Sequence, residues 1–203
     1  MMKKIILMFV IFLISFSPAF AVPNNESATN NGNQYGTLTA VSTGAYTSLN
    51  GQEMSIEQIQ NRNRLRVGEY FAEYSLELQE ERSLTGESKL KATLSNGQNA
   101  EIKVMPDVAA ERALERLKLK VCQEEEGCTI ELKEVGQGDQ IQPVYEVQAR
   151  KEARMLGMFK TQMQVRAQVN AETGEVIRVQ KPWWAFLASE SDEIEEDESA
   201  TLE

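Results

Sequence analysis

The sequence predicts an α+β fold in which an antiparallel β-sheet meander packs against one amphipathic helix, preceded by a β-rich segment. Near the C-terminus, residues 144–153, 159–169 and 176–179 alternate apolar and polar side chains, as half-buried strands do. Turn-forming residues separate the three runs, which indicates consecutive antiparallel pairing. Upstream, residues 108–120 place apolar side chains at helical spacing, so this helix has one apolar face to lay on the sheet.

The N-terminus has the order of a secretory signal. Lys3 and Lys4 precede an apolar run, and small residues follow it up to Ala21, which predicts cleavage after Ala21. The run is short for a membrane span, which needs about 20 apolar residues, although an uncleaved anchor stays open as an alternative. We therefore interpret residues 1–21 as a signal peptide and expect a secreted or extracytoplasmic, envelope-associated protein.

The next segments are a spacer and a β-rich region. Residues 22–51 are rich in Asn, Ser, Thr, Gly and Gln, which bury too little apolar surface to fold, so we predict a flexible polar spacer. Within the β-rich segment, residues 52–105, the stretch 62–78 fits both strand and helix periodicity, and we favour two strands split near Gly68.

Alternating arginines stand out in this region. Arg62, Arg64 and Arg66 would share one face of a strand. Such a row is an anion site in one interpretation and an ordinary solvated sheet face in the other, which we favour.

Clearer local signals follow. Asn96-Gly97 lies between alternating runs at 89–94 and 100–104, which predicts a hairpin because both turn residues tolerate positive φ. Pro106 and Asp107 then open the helix, with Asp107 placed to cap it. Beyond the helix, residues 129–135 alternate as a further strand.

Two cysteines stand six positions apart. Cys122 and Cys128 would meet an oxidising compartment after export, where closely spaced thiols pair, so we predict a disulfide between them. Two cysteines without histidine are a poor metal site. We expect no metal and no cofactor.

Charge and histidine content narrow the function classes. The net charge is −10, and residues 189–203 hold eight acidic and no basic residues, which predicts an acidic disordered tail. No basic patch indicates nucleic-acid binding. The chain has no histidine, which removes the commonest general base and the usual partner of a Ser or Cys nucleophile. We therefore expect a protein that is not an enzyme.

The C-terminal half resembles the PepSY domain family. Members tend to end with a Tyr-x-Val strand, a hairpin and a Val-Asp-Ala-x-Thr-Gly-x-Val turn, and residues 145–147 and 169–176 fit this pattern with Asn170 in place of Asp. The resemblance implies a PepSY-like α+β domain over residues 106–188. It also implies inhibition or regulation of a secreted peptidase as one role.

A second resemblance covers shorter stretches. Residues 91–97, 102–107 and 181–188 resemble segments of uncharacterised secreted archaeal proteins. This likeness implies no particular activity.

Two apolar clusters are candidate partner-binding sites. The predicted hairpin tip carries Met155, Leu156, Met158 and Phe159, although hairpin tips are usually polar. Either the tip packs under the helix, which we favour, or it is an adaptable contact surface of the kind that Met suits. Trp183 and Trp184 form the second cluster, which is a docking patch, an interfacial membrane contact or, in the interpretation we favour, partly core.

These observations lead to a functional hypothesis. We expect a secreted, non-catalytic binding or regulatory module of the cell envelope that engages a protein partner through the tip. A PepSY-type inhibitor or regulator of a secreted peptidase is the alternative. Membrane contact through the Trp pair or an uncleaved N-terminus is less favoured, and no nucleic-acid partner is expected.

Overall fold

The computed structural model describes residues 35–190 with the exception of Gly157. The predicted signal peptide, the first part of the spacer and residues 191–203 lie outside the described residues. The strands, in chain order, are β1 (Tyr35–Ala40), β2 (Gly44–Thr47), β3 (Glu53–Ile59), β4 (Arg62–Val67), β5 (Tyr70–Tyr74), β6 (Glu77–Ser83), β7 (Ser88–Thr93), β8 (Asn99–Ile102), β9 (Thr129–Val135), β10 (Gln142–Met155), β11 (Phe159–Asn170), β12 (Val176–Gln180) and β13 (Ala188–Glu190).

The predicted α+β fold class is wrong, because the described part of the chain is mostly β. Strands make up 55% of it and helical turns 15%. One sheet has four antiparallel strands in the order β1-β6-β7-β8. The other has nine strands, in the order β12-β11-β10-β9-β5-β4-β3-β2, with β13 beside β10. The predicted meander thus forms one end of a larger sheet. A single helix is a minor part of the architecture.

The large sheet joins the two segments that the sequence separated. Strand β5 pairs in parallel with β9, with Glu73 opposite Glu131 and Tyr74 opposite Leu132. The predicted β-rich segment, 52–105, and the predicted domain, 106–188, therefore share one sheet. Non-local pairing of this kind leaves no local signal in the sequence.

The predicted spacer is wrong over residues 35–51, which contain β1 and β2. These are edge strands, and backbone hydrogen bonds to β6 and β3 hold them without many apolar side chains. Tyr46 supplies the main anchor: it is buried, and its hydroxyl donates to the Ser42 carbonyl. The polar composition of residues 35–51 therefore gives no indication of the two strands that they form.

The helix α1 (Pro106–Leu117) lies close to the predicted range. Its N-cap residue is Met105, with Pro106 in the first turn, so the prediction that Asp107 caps the helix is wrong. Asp107 instead accepts a hydrogen bond from Gln52 Nε2 at 2.6 Å. At the other end Lys118 adopts positive φ and stops the helix before Lys120.

One hydrophobic core lies between the helix and the inner face of the large sheet and includes residues of the small sheet. The predicted strands at 129–135, 144–153, 159–169 and 176–179 are present, as β9 to β12. The alternation is also confirmed: Tyr145, Val147 and Ala149 are all at most 3% exposed and face inward. The predicted C-terminal strands are therefore confirmed, although the predicted fold class is wrong.

The predicted disulfide is present. Cys122 and Cys128 are bonded, with their Cα atoms 5.1 Å apart. The bond closes the loop between α1 and β9, and Cys128 is buried. It is therefore a local staple at the end of the helix.

Candidate binding surface

The hairpin of β10 and β11 projects an apolar tip. Met155 pairs with Phe159 across the last rung, and Met158 N donates to the Met155 carbonyl at 3.1 Å. Leu156 has a φ of 51°, a left-handed conformation that costs a bulky side chain about 1–2 kcal/mol. The turn therefore exposes a leucine in a conformation that glycine adopts more easily.

A short segment crosses this hairpin on its inner side. The 3₁₀ helix Trp183–Leu187, which we call the strap, leads from β12 into β13, and β13 pairs with β10 on the edge opposite β11. Trp184 and Ala185 pack against the core. The inner-facing Ala153 and Met163 beneath are at most 2% exposed, whereas outward neighbours such as Gln164 are exposed. The strap is therefore the cover of the far half of the hairpin.

The strap and the tip meet. Leu156 N donates to the Leu187 carbonyl at 3.1 Å, so the strap is fastened to the turn. In a 3₁₀ helix residues three apart eclipse, which puts Trp183 and Phe186 on one side of the strap. The exposed apolar side chains of strap and tip, which we call the distal surface, are Leu156 (63% exposed), Met158 (73%), Phe159 (65%), Trp183 (80%), Phe186 (76%) and Leu187 (42%).

The structure thus unites the two predicted site clusters. Of the predicted residues, Leu156, Met158, Phe159 and Trp183 are strongly exposed, while Met155 and Trp184 are half-buried. The favoured expectation that the tip packs under the helix is wrong, because the strap lies over the hairpin and leaves the tip beyond it uncovered. The expectation that one Trp belongs to the core is met by Trp184.

The segments that carry the distal surface are basic although the chain as a whole is acidic. Residues 150–160 and 181–188 contain Arg150, Lys151, Arg154, Lys160 and Lys181 but one acidic residue, Glu152. Arg154 and Lys160 are directly opposite on the outer face. The net charge of these segments is therefore +4, against −10 for the whole chain.

The family-like turn is architectural. Asn170 Oδ1 accepts hydrogen bonds from the backbone amides of Glu172 and Thr173 at 2.8 and 2.9 Å, which is the capping role that Asp would also fill. Arg112 of α1 donates to the Gly174 carbonyl at 2.7 Å. These bonds tie the turn to the helix, and they supply no reactive group.

The three arginines of the row form ion pairs with glutamates of neighbouring strands. Arg62 and Arg64 both reach Glu73 at 2.9 Å, and Arg66 reaches Glu57 at 3.1 Å. Partial burial alone would raise the pKa of Glu73, but the hydrogen bonds from both arginines outweigh it and hold that pKa below its usual value. Arg64 also lies over the Phe71 ring at 4.2 Å. The row therefore fits an ordinary sheet face better than an anion site.

Comparisons with known proteins give no relative. No family model, curated protein or solved structure matches the chain. The likeness to PepSY domains stays a prediction. No helix within residues 35–190 is long and apolar enough to cross a bilayer.

Sequence reasoning missed the connection between the two clusters. Strand β13 creates it, and this strand is the short run Ala188-Ser189-Glu190 at the start of the acidic segment. The predicted tail boundary at Ser189 falls inside it. Nothing in three residues of this composition indicates a strand. The contact between the tip and the strap is therefore visible only in the structure, where β13 pairs with β10.

Proposed function

We propose that this protein is a secreted, non-catalytic binding or regulatory module of the cell envelope, and that it binds a protein partner through the distal surface. The single observation that carries the proposal is the exposure of six large apolar side chains on adjoining elements. Monomeric proteins rarely expose apolar side chains in such a cluster without an interaction to make. Two aromatic residues on the strap add the side chains that most often anchor interfaces.

The disulfide supports the secreted location. A Cys122–Cys128 bond persists in an oxidising compartment, in keeping with the signal-like order of residues 1–21. The absence of histidine supports a binding role over the hydrolytic mechanisms that depend on imidazole.

The alternative role is inhibition or regulation of a secreted peptidase. It is supported by the likeness of residues 145–147 and 169–176 to PepSY domains. Such a peptidase would be one kind of protein partner. We expect the peptidase to bind the same distal surface.

A pull-down from envelope extracts tests the proposal. We expect the wild-type chain to retain partners that are lost when Met155, Leu156, Met158 and Phe159 are replaced by Ser. A second variant, Trp183→Ser with Phe186→Ser, should lose the same partners, because its substitutions lie on the same surface. Equal recovery by wild type and both variants would exclude the distal surface as the binding site.

The matched control removes an exposed apolar residue elsewhere. Leu84, in the turn between β6 and β7 of the small sheet, is 83% exposed. We expect Leu84→Ser to retain every partner. Activity assays of the co-secreted peptidases with and without the chain then separate the two roles, since a pure binding module leaves those rates unchanged.

A further inference from the structure

Strand β11 is fully paired on one side and only partly paired on the other. Strand β10 pairs with its whole length, from Phe159 to Asn170. On the opposite side, β12 pairs with residues 166–169 alone, beginning with Gln180 opposite Arg166. Within the described part of the chain, residues 159–165 therefore have no strand beside them on the β12 side. We call this side of residues 159–165 the unpaired edge.

The unpaired edge has backbone groups directed outward. Asn170 N donates to the Glu175 carbonyl at 2.8 Å on the β12 side. Alternate residues of an antiparallel strand direct their N–H and C=O groups to the same side. The pairing of β11 with β10 has no register shift, so Lys160, Gln162 and Gln164 are oriented the same way. A row of outward backbone groups is a template for an added strand.

The side chains of the unpaired edge leave it able to pair. Gln162 and Gln164 are exposed on the outer face, whereas Met163 and Val165 are buried on the inner face. Native edges are commonly protected by charged side chains, prolines or bulges. Residues 159–165 contain one charged residue, Lys160, and they have no proline and no bulge against β10. This edge is therefore suited to strand addition.

A second copy of the same edge fits the unpaired edge from end to end. Residues 159–165 are centred on Gln162. When two copies pair antiparallel about Gln162, each unpaired residue faces an unpaired residue of the other copy. Because Gln162 directs its backbone groups outward, the central pair is hydrogen-bonded. The register gives the self-complementary contact that a two-fold dimer requires.

The side chains match in this register. Lys160 faces Gln164 of the second copy, so no like charges are directly opposite. Phe159, which is 65% exposed in one copy, faces Val165 of the other, which gives an apolar cross-strand pair at each end. A register centred on Lys160 would instead place two lysines opposite each other and leave part of the edge unpaired.

We propose that two copies of this protein form a two-fold dimer in which residues 159–165 pair antiparallel, so that the two large sheets become one. Cross-strand neighbours share a face, so both inner faces, and with them both distal surfaces, lie on the same side of the dimer. The inference goes beyond the proposed function, because the second copy occupies the edge of β11 and the distal surface is left to another protein. Trp183 and Phe186 lie outside the unpaired edge, so either inference can fail without the other.

Sedimentation velocity of the full chain at a series of protein concentrations tests the proposal. We expect a species of twice the chain mass that dissociates on dilution. Gln162→Pro removes the outward N–H at the centre of the dimer, and proline is tolerated at a strand edge. It should raise the dissociation constant of the dimer at least about tenfold, because the symmetric central pair loses two hydrogen bonds.

A charge placed on the two-fold axis supplies a second variant. Gln162→Lys should also weaken the dimer, because it sets two lysines directly opposite each other. Gln58→Lys makes the same substitution at an exposed position of β3 and is the matched control. We expect it to dimerise as the wild type does.

Cysteine cross-linking measures the register directly. The Cα atoms of a hydrogen-bonded antiparallel pair are about 5.5 Å apart, which a disulfide spans. Gln162→Cys should therefore give a cross-linked dimer on mild oxidation. Gln164→Cys alone should not, because its two copies lie well apart along the strands. A mixture of Lys160→Cys chains and Gln164→Cys chains should cross-link to each other.

Three results would overturn the proposal. The first is a monomer at every concentration. The second is a dimer that both Gln162 variants leave intact and that Trp183→Ser with Phe186→Ser dissociates, since the copies would then meet at the distal surface. The third comes from hydrogen exchange, in which the amides of Gln162 and Gln164 should gain protection as the protein concentration rises. Protection independent of concentration would mean that the edge is covered within one copy.

Discussion

The β10–β11 hairpin has a part that α1 and the strap cover, which we call the covered part, and an exposed tip. Apolar and polar side chains alternate along both, but the apolar side chains are buried in the covered part and exposed at the tip. In the covered part, inward residues such as Val147 and Val165 are fully buried. At the tip, Leu156 and Met158 are 63% and 73% exposed. The strand pattern decides which side chains share a face. What covers that face is decided by α1 and the strap, which are far along the chain from most of the residues they cover.

The largest effect expected from this contrast comes from a matched pair of methionines. Met163 is 1% exposed in the covered part and Met158 is 73% exposed at the tip. Met163→Ala should lower the free energy of unfolding by about 2–5 kcal/mol, because it leaves a cavity. Met158→Ala should change it by less than about 0.5 kcal/mol. Urea unfolding of both variants checks this, and equal losses would mean that the tip is packed after all.

A smaller effect of opposite sign is expected at Leu156. Its positive φ favours glycine, so Leu156→Gly should leave stability unchanged or raise it by up to about 1 kcal/mol. Lys118→Gly, at the left-handed residue that ends α1, is the matched comparison and should behave alike. Thermal unfolding of both variants measures the change. A clear loss at Leu156 alone would show that its side chain contributes to the fold.

The smallest expected effect on stability comes from Glu146, on the outer face of the covered part. Partial burial would raise the pKa of Glu146, but hydrogen bonds from Lys133 at 2.8 Å and Gln168 at 2.9 Å hold it below its ordinary value near 4.5. A lowered pKa in the folded state contributes stability above the unfolded value, and this is lost as the pH falls through the folded value. Glu146→Gln should therefore lower stability at pH 7 by about 1 kcal/mol or less.

The pH dependence of that loss provides the check. Urea unfolding at pH 7 and pH 3 should show the difference between Glu146→Gln and wild type shrinking at pH 3. Glu152→Gln, an exposed carboxylate nearer the tip, is the control and should equal wild type at pH 7. A difference for Glu146→Gln that stays constant from pH 7 to pH 3 would contradict the role of the ion pair.

Local features were predictable and non-local ones were not. Alternation located β9 to β12, Asn96-Gly97 located a hairpin, and the spacing of Cys122 and Cys128 located the disulfide, since each depends on neighbours in sequence. The fold class failed because polar edge strands such as β1 read as a spacer. The pairing of β5 with β9 has no local signal at all.

The candidate site was predictable in its parts but not as a whole. The residues of the tip and the Trp pair could be chosen because large apolar side chains at a turn or after a strand need an explanation. Their exposure could not, since the strap lies over the inner hairpin face and stops short of the turn. The position of β13 determines where the cover by the strap ends, and the three residues of β13 have no strand-like composition.

The parallel contact between β5 and β9 also sets an order of assembly. During synthesis β1 to β5 emerge first, and one edge of β5 stays unpaired until the rest of the small sheet, the helix and the disulfide loop have been made. Loop closure across that distance is slow, and an open strand edge is prone to aggregate. We therefore expect the pairing of β5 with β9 to form late in folding, after strands that pair with their neighbours in sequence.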